Sequence, residues 1–290
     1  MVWSLGKLSF HCDKQAILVE PSILKLVGYI IALDLRAKLN SHLRYSMISK
    51  TQLKLIRALG QKKQRRAHGL FLVQAEKNVL ELIKTDYKVK HVFATHDFLQ
   101  RYSECLIGYE CIEATLEDLT KASTLISNNA AVAVVEIPQS IEPVAEGLMI
   151  ALDGVSDPGN LGTIIRLADW YGIKHIIASE DCADPHSPKT ISATMGSFTR
   201  VTVTQLNLPD YLKRAHLPIY GAFLDGENVH DVSFSTQGIL LMGSESHGIR
   251  ELASQYVTNK ITIPSFGGAE SLNVAMAAGI IIDNIRRCHG

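Results

Sequence analysis

Three short segments hold the side chains best placed to do chemistry. The first, Asp157-Pro-Gly-Asn-Leu-Gly-Thr-Ile-Ile-Arg166, offers an amide at Asn160 and a guanidinium at Arg166. The second, Leu240-Leu-Met-Gly-Ser-Glu-Ser-His-Gly248, sets Glu245 between Gly243 and Gly248. The third, Ile263-Pro-Ser-Phe-Gly-Gly-Ala-Glu-Ser-Leu-Asn273, offers Ser271 and Asn273 beside the apolar Ile263 and Leu272. Each is a glycine-rich polar loop next to an apolar run, which puts flexible backbone and a few polar groups at a strand end, where open α/β sheets bind ligands. Arg166 falls about one turn into the helix after Asn160-Leu-Gly162 and can point back over such a crevice. Taken alone, this segment also reads as a turn, with Asn160 capping a helix and Arg166 solvated; the other two loops weigh against that reading.

The loops need elements to hold them. In the C-terminal half, Leu148-Met-Ile-Ala-Leu-Asp153, His175-Ile-Ile-Ala, Ile219-Tyr-Gly-Ala-Phe, Ile239-Leu-Leu-Met and Lys260-Ile-Thr-Ile are apolar runs of strand length separated by helical stretches. Near-continuous apolar strands alternating with helices predict a mostly parallel sheet covered on both faces. The spacing predicts helices over residues 161–171 and 272–287. In the N-terminal half, the strands Leu70-Phe-Leu-Val-Gln-Ala, His91-Val-Phe-Ala, Glu110-Cys-Ile-Glu and Ala130-Ala-Val-Ala-Val-Val-Glu-Ile137 alternate with helices over 76–84, 97–102 and 116–122, predicting a small α/β/α domain. The expected organisation is a first domain over 47–138, a linker over 139–147 containing Pro143, and a second domain over 148–290. Residues 1–46 lack a clear period or a helix cap, whereas Ser49-Lys-Thr-Gln-Leu-Lys-Leu-Ile-Arg57 starts a strong helical pattern. Met47 therefore reads as the more natural start, and 1–46 as an extension or start-site artefact.

Bulk properties narrow the function classes. The 290 residues are 47% hydrophobic with no formal net charge, so nucleic-acid binding must come from charge gathered on one surface. Lys54, Arg57, Lys62, Lys63, Arg65, Arg66 and His68 form such a run; it suits RNA phosphates, or a solvated helix end. The five cysteines are scattered without a Cys-x-x-Cys pair, which argues against a disulfide framework or a zinc site and for reduced thiols in a cytoplasmic protein. No metal is expected. The apolar stretch 17–35 is broken by Glu20, Pro21, Lys25 and Asp34 and falls short of a membrane span. No Gly-x-Gly-x-x-Gly follows a strand and no Walker-A lysine is present, so a dinucleotide or nucleotide-phosphate site has little support.

Taken in order, the three motifs resemble those of the SpoU (TrmH-type) RNA 2′-O-ribose methyltransferases, a branch of the SPOUT superfamily. The family's Asn-x-Gly-x-x-x-Arg-x-Ala stands here as Asn160, Gly162, Arg166 and Ala168; its Gly-x-Glu-x-x-Gly as Gly243, Glu245 and Gly248; its third motif as Ile263-Pro and Glu270-Ser-Leu-Asn-Val274. Where the family often has Arg-Ala-Ser-x-Gly, this chain reads Ser192-Ala-Thr-Met-Gly196, so a phosphate contact from that arginine is not expected. The resemblance implies a trefoil-knotted C-terminal domain preceded by an L30e-like RNA-binding domain, a homodimer through the knotted domain, and S-adenosylmethionine as cofactor. That cofactor suits a glycine-rich site without a phosphate signature. The implied cofactor residues are Met242, Gly243, Ile263, Leu272 and Asn273, and the implied catalytic set is Arg166, Asn160, Glu245, Ser271 and Asn273. Lys62, Lys63, Arg65 and Arg66 are the candidate RNA contacts. The implied reaction is methylation of a ribose 2′-hydroxyl in ribosomal or transfer RNA. The alternatives are a catalytically silent RNA-binding protein of the same fold and a nucleotide-dependent α/β enzyme.

Overall fold

The computed structural model describes residues 47–124 and 130–289. The described residues lie within one compact unit, and the expectation for residues 1–46 lies outside them. Helix α1 (Lys50–Ala58) starts where its sequence demands: Ser49 accepts from the Gln52 amide while the Gln52 side chain accepts from Ser49 N–H. That reciprocal pair satisfies two N–H groups the helix cannot use. There follow α2 (Lys62–His68), β1 (Leu70–Gln74), α3 (Glu76–Leu82), β2 (Val89–Ala94), α4 (His96–Arg101), β3 (Cys111–Glu113), α5 (Leu116–Ala122) and β4 (Ala131–Glu136). The strands pair in the order β1-β4-β2-β3, antiparallel except for β2 with β3. Because side chains alternate along a strand, Leu72, Phe93, Val132 and Val134 pack under α1 and α5, while Phe71 faces the other way and meets Tyr87, His186 and Phe198.

The second half runs β5 (Leu148–Asp153), α6 (Pro158–Trp170), β6 (His175–Ser179), α7 (Pro188–Thr194), β7 (Thr202–Leu206), α8 (Leu208–Arg214), β8 (Ile219–Asn228), β9 (Gly238–Gly243), α9 (Glu251–Ser254), β10 (Asn259–Thr262) and α10 (Val274–Arg287). Its six strands are all parallel, in the order β10-β8-β9-β5-β6-β7. Ile150 and Leu152 point into a core shared with α6 and α10; Met149 and Ala151 point into one shared with α8 and α9. The parallel sheet covered on both faces is the one the apolar runs predict. Strand β7 and helices α7 to α9 escape the sequence pattern, being short and only partly apolar. Helix α6 begins at Pro158 rather than residue 161, because Asp157 is the cap and accepts from Asn160 N–H.

The chain leaves β5, builds β6 and β7 on one side, then crosses to β8 and inserts β9 between β8 and β5. The loops after β5 and β9 therefore emerge side by side at the carboxyl edge, where open sheets divide to admit a ligand. The two halves are locked by the buried Arg65–Asp184 ion pair, by Arg200, and by the ring cluster around Phe71. No described helix is long and apolar enough to cross a membrane.

Candidate active site

The site grows from the end of β5. Asp153, the last residue of the strand, is 2% exposed and accepts from Arg250 through its main-chain N–H at 2.7 Å and its Nε at 2.8 Å. A buried charge is costly unless paired and hydrogen-bonded, and Arg250 satisfies both conditions. The same guanidinium reaches Asp181 at 2.9 Å. Asp181 also accepts from Ser179 Oγ, which in turn accepts from Gly154 N–H; Ser179 first, and then Arg250, holds the Asp181 carboxyl below its usual range. This network pins the loop after β9 to the ends of β5 and β6. Neither Asp153 nor Arg250 stood out in the sequence, although an acid closing an apolar strand was a usable signal.

Gly243 closes β9. A Cβ there would lie 2.0 Å from the carbonyl carbon of Gly248 and 2.2 Å from Ile249 N. The close backbone approach at this glycine is thus the loop's own return, sealed by Ser244 and Gly248 exchanging main-chain hydrogen bonds at 3.1 and 2.9 Å, with Gly248 at φ 63°. The turn lifts Glu245 into solvent at the edge of the sheet.

There the three motifs meet. Asn160 Nδ2 donates to Glu245 Oε1 at 3.1 Å, and Asn273 Nδ2 donates to the same oxygen at 2.8 Å and to Asn160 Oδ1 at 3.0 Å. Asn273 is the cap of α10: its Oδ1 accepts from Ala275 and Met276 N–H, which fixes its amide so that Nδ2 must face the other two residues. Asn160 can turn toward them because Asp157, not Asn160, caps α6. Asp157 is held below the usual carboxylate range by Lys189 and by Asn160 N–H.

Arg166 lies on the exposed face of α6, two turns further along, and has no hydrogen-bond or ion-pair partner among the described residues. Gly162 lets α6 approach α7, since a Cβ there would be 2.5 Å from Ala193 Cβ. Ser271 is exposed and bonds to none of the triangle. Leu272 is 49% exposed, whereas Ile263 is partly buried against the core. Met242 points into that core at 3% exposure, so it can offer a ligand only its main chain.

The basic run divides. Lys62, Lys63 and Arg66 are exposed; Lys62 and Arg66 line a groove of about 1190 Å³ between the two halves, with Lys88, Arg200 and Gln205. Arg65 belongs to the interior instead. It is 3% exposed and donates to Asp184 at 2.6 and 3.2 Å and to the carbonyls of Leu59 and Gly60, so although it borders the same groove its guanidinium is committed to the protein. Burial alone would raise Asp184, but Arg65 and His186 N–H hold it low. On the helix this arginine is indistinguishable from its neighbours; only the docking of the second half shows its role.

Residues 147–283 match the model of the SpoU rRNA methylase family, and residues 50–133 match an MRM3-like substrate binding domain. The 23S rRNA (guanosine(2553)-2′-O)-methyltransferase RlmP of Bacillus subtilis is 30% identical over 229 residues, 78% of this chain and 92% of that one. A Porphyromonas gingivalis structure described within the TrmH family of RNA methyltransferases is 38% identical with a TM-score of 0.77, over 83% of this chain and 99% of its own. An AdoMet-bound rRNA methyltransferase from Sinorhizobium meliloti is 29% identical with a TM-score of 0.76, over 85% and 99%.

Proposed function

The chain belongs to the SpoU rRNA methylase family, and from that premise we propose that it transfers the methyl group of S-adenosylmethionine to a ribose 2′-hydroxyl of RNA. The carrying observation is the Asn160–Glu245–Asn273 triangle, in which one polar residue from each motif meets its counterparts, with the unpaired Arg166 on the same helix as Asn160. Such convergence gains a packed core nothing. It suits a site that orients a reacting group.

The residues fit the methyl donor. Leu272 and Ile263 offer apolar surface for an adenine beside the triangle, with the main chain of Met242 and Gly243 at the strand end. The donor contributes a methyl group already activated by its sulfonium, so alignment carries much of the acceleration. A guanidinium, with a pKa above about 12, stays protonated. Arg166 therefore acts by position: it grips the neighbouring RNA phosphate and stabilises the developing alkoxide, and the proton passes to phosphate or water. Asn160 and Asn273 hold Glu245 in one rotamer, leaving its other oxygen to receive a hydroxyl. Ser271 is exposed beside them and free to donate.

RNA lies against Lys62, Lys63 and Arg66. Ribosomal RNA is the favoured substrate, because the Bacillus subtilis relative is named for 23S rRNA and the match to it spans most of both chains. An L30e-like first domain is supported by the β1-β4-β2-β3 sheet and the substrate-binding match. Support for a knot comes from the insertion of β9 and from the chain after β10 returning to Glu245 before α10 packs on α6. Support for a homodimer comes from the exposed Trp170 on α6 and Met276 on α10. A cytoplasmic setting accompanies this reading.

The test is transfer from labelled donor to total RNA, alongside calorimetric donor binding. Arg166→Ala should abolish transfer and keep donor affinity, while Leu272→Arg should remove donor binding and leave RNA binding. Arg166→Ala with wild-type turnover, or lost donor affinity in the folded variant, would overturn the assignment. RNA binding without transfer by the wild type would favour the silent RNA-binding protein.

A further inference from the structure

Arg166 has on its own helix a carboxylate that is already occupied. Asp169 is the sole acidic residue of α6, and it follows Arg166 at i+3, the spacing at which helix side chains become neighbours. Left alone, its carboxylate would have the Arg166 guanidinium as a cation within reach. Instead Arg200, just beyond the short 3₁₀ turn Ser197–Thr199, holds both of its oxygens: Nε donates to each at 3.0 Å and Nη2 to one at 2.8 Å. The remaining nitrogen, Nη1, donates to Glu81 of α3 at 2.7 Å. Arg200 holds the Asp169 carboxyl below its ordinary value, and Lys84 and then Arg200 do the same for Glu81. Both acids are therefore charged, and Asp169 is one that would attract Arg166.

We propose that Arg200 is a positioning residue for methyl transfer: it occupies Asp169, keeps that carboxylate off Arg166, and so leaves the Arg166 guanidinium available to RNA. The proposal rests on the role of Arg166 given above. It also gives Arg200 a second consequence. Because one guanidinium binds Asp169 in the second half and Glu81 in the first, the seating of the two halves and the freedom of Arg166 depend on the same side chain. All three nitrogens of Arg200 are engaged, so it acts through Asp169 rather than on the substrate.

The experiment is a double-substitution cycle read by kcat, with calorimetric donor affinity and thermal melting as controls. Arg200→Ala should lower kcat by roughly tenfold, as expected when a charge-assisted bond must be broken before Arg166 can act, with donor affinity unchanged. Asp169→Asn should stay near wild type. Combining the two should restore kcat to the Asp169→Asn level even though melting remains lowered, an outcome a merely structural clasp cannot produce. A double variant as slow as Arg200→Ala, or an Asp169→Asn variant equally slow, would overturn the proposal. If Arg200→Ala does not fold, Arg200→Lys, which keeps a cation but loses the two-pronged grip, is taken through the same cycle. Arg166→Ala in parallel separates the two ideas: its inactivity with no rescue at Asp169 refutes only the role of Arg200, whereas its full activity refutes the role of Arg166.

Discussion

Substituting Asn273 by Asp separates the two jobs of that side chain. An aspartate keeps the oxygen that caps α10, and a negative charge at a helix start is welcome, so the fold should persist. What is lost is Nδ2, which donates at 2.8 Å to Glu245 and at 3.0 Å to Asn160. A second carboxylate now faces Glu245. With charge centres about 4 Å apart, the repulsion is about 1 kcal/mol in water and about 4 kcal/mol at an effective dielectric of 20. Glu245 and Asn273, the two that would carry the charges, are exposed, so ~1–2 kcal/mol applies, and a lost hydrogen bond adds ~1 kcal/mol. The sum, ~2–3 kcal/mol, corresponds to a roughly 30- to 150-fold slower transfer. Methyl transfer to RNA and melting are measured on the same samples. The same cost falls on the folded state, so melting should drop by roughly 4–12 °C while the protein stays folded, and adding Glu245→Gln, whose amide can donate to the new aspartate, should recover part of both the rate and the melting. Because two carboxylates in one site raise the pKa of one of them, the variant should also approach wild type as the pH is lowered. Unchanged transfer in Asn273→Asp, or a double variant slower than Asn273→Asp alone, would refute the reasoning.

Other perturbations follow from the same geometry. Gly243→Ala drives a Cβ against the Gly248–Ile249 backbone, which cannot rotate away; it should cost ~1–3 kcal/mol, lower melting by roughly 3–10 °C and weaken donor binding, as measured by calorimetry. Changing Lys62, Lys63 and Arg66 together to Ala should reduce the logarithmic salt dependence of RNA binding by roughly 2, and an unchanged slope would remove them from the interface. Burial against Phe71 holds His186 below its ordinary pKa, partly offset by Asp184. The unfolded chain therefore binds the extra proton, so this contribution is complete above about pH 6.5 and is lost as pH falls below it. The low Asp184 value adds a further loss only near and below about pH 4. Melting of the wild type should fall between pH 7 and 5.5, and His186→Phe should flatten that fall.

Much of the candidate site was legible without coordinates. Asn160, Arg166 and Glu245 stand at set offsets from glycines, Asn273 stands in the Glu270-Ser-Leu-Asn-Val274 run, and the runs at 148–153 and 239–242 have the length and composition of strands buried on both faces. Identity and spacing are local properties, and so are caps such as Ser49 and strand alternation around Phe71 and Leu72. Which loops meet is not local. Asn160, Glu245 and Asn273 touch because β9 is inserted beside β5 and α10 starts at that same edge. No spacing within one segment encodes that.

The same limit explains the residues whose roles changed or went unseen. Arg65 shares its helix and its charge with Lys62, Lys63 and Arg66, and only the approach of Asp184, 119 positions away, turns it inward. Arg250 and Asp153 are 97 positions apart and find each other because β5 and β9 are parallel neighbours. Arg200 reads as one surface cation among many until Asp169 and Glu81 close on it from different halves. The sequence by itself determined which polar groups stand at the loop ends and most of the strands and helices that carry them. The tertiary structure decided which charges are spent on one another and which, like Arg166, remain free, because pairing depends on distances that only the folded chain sets.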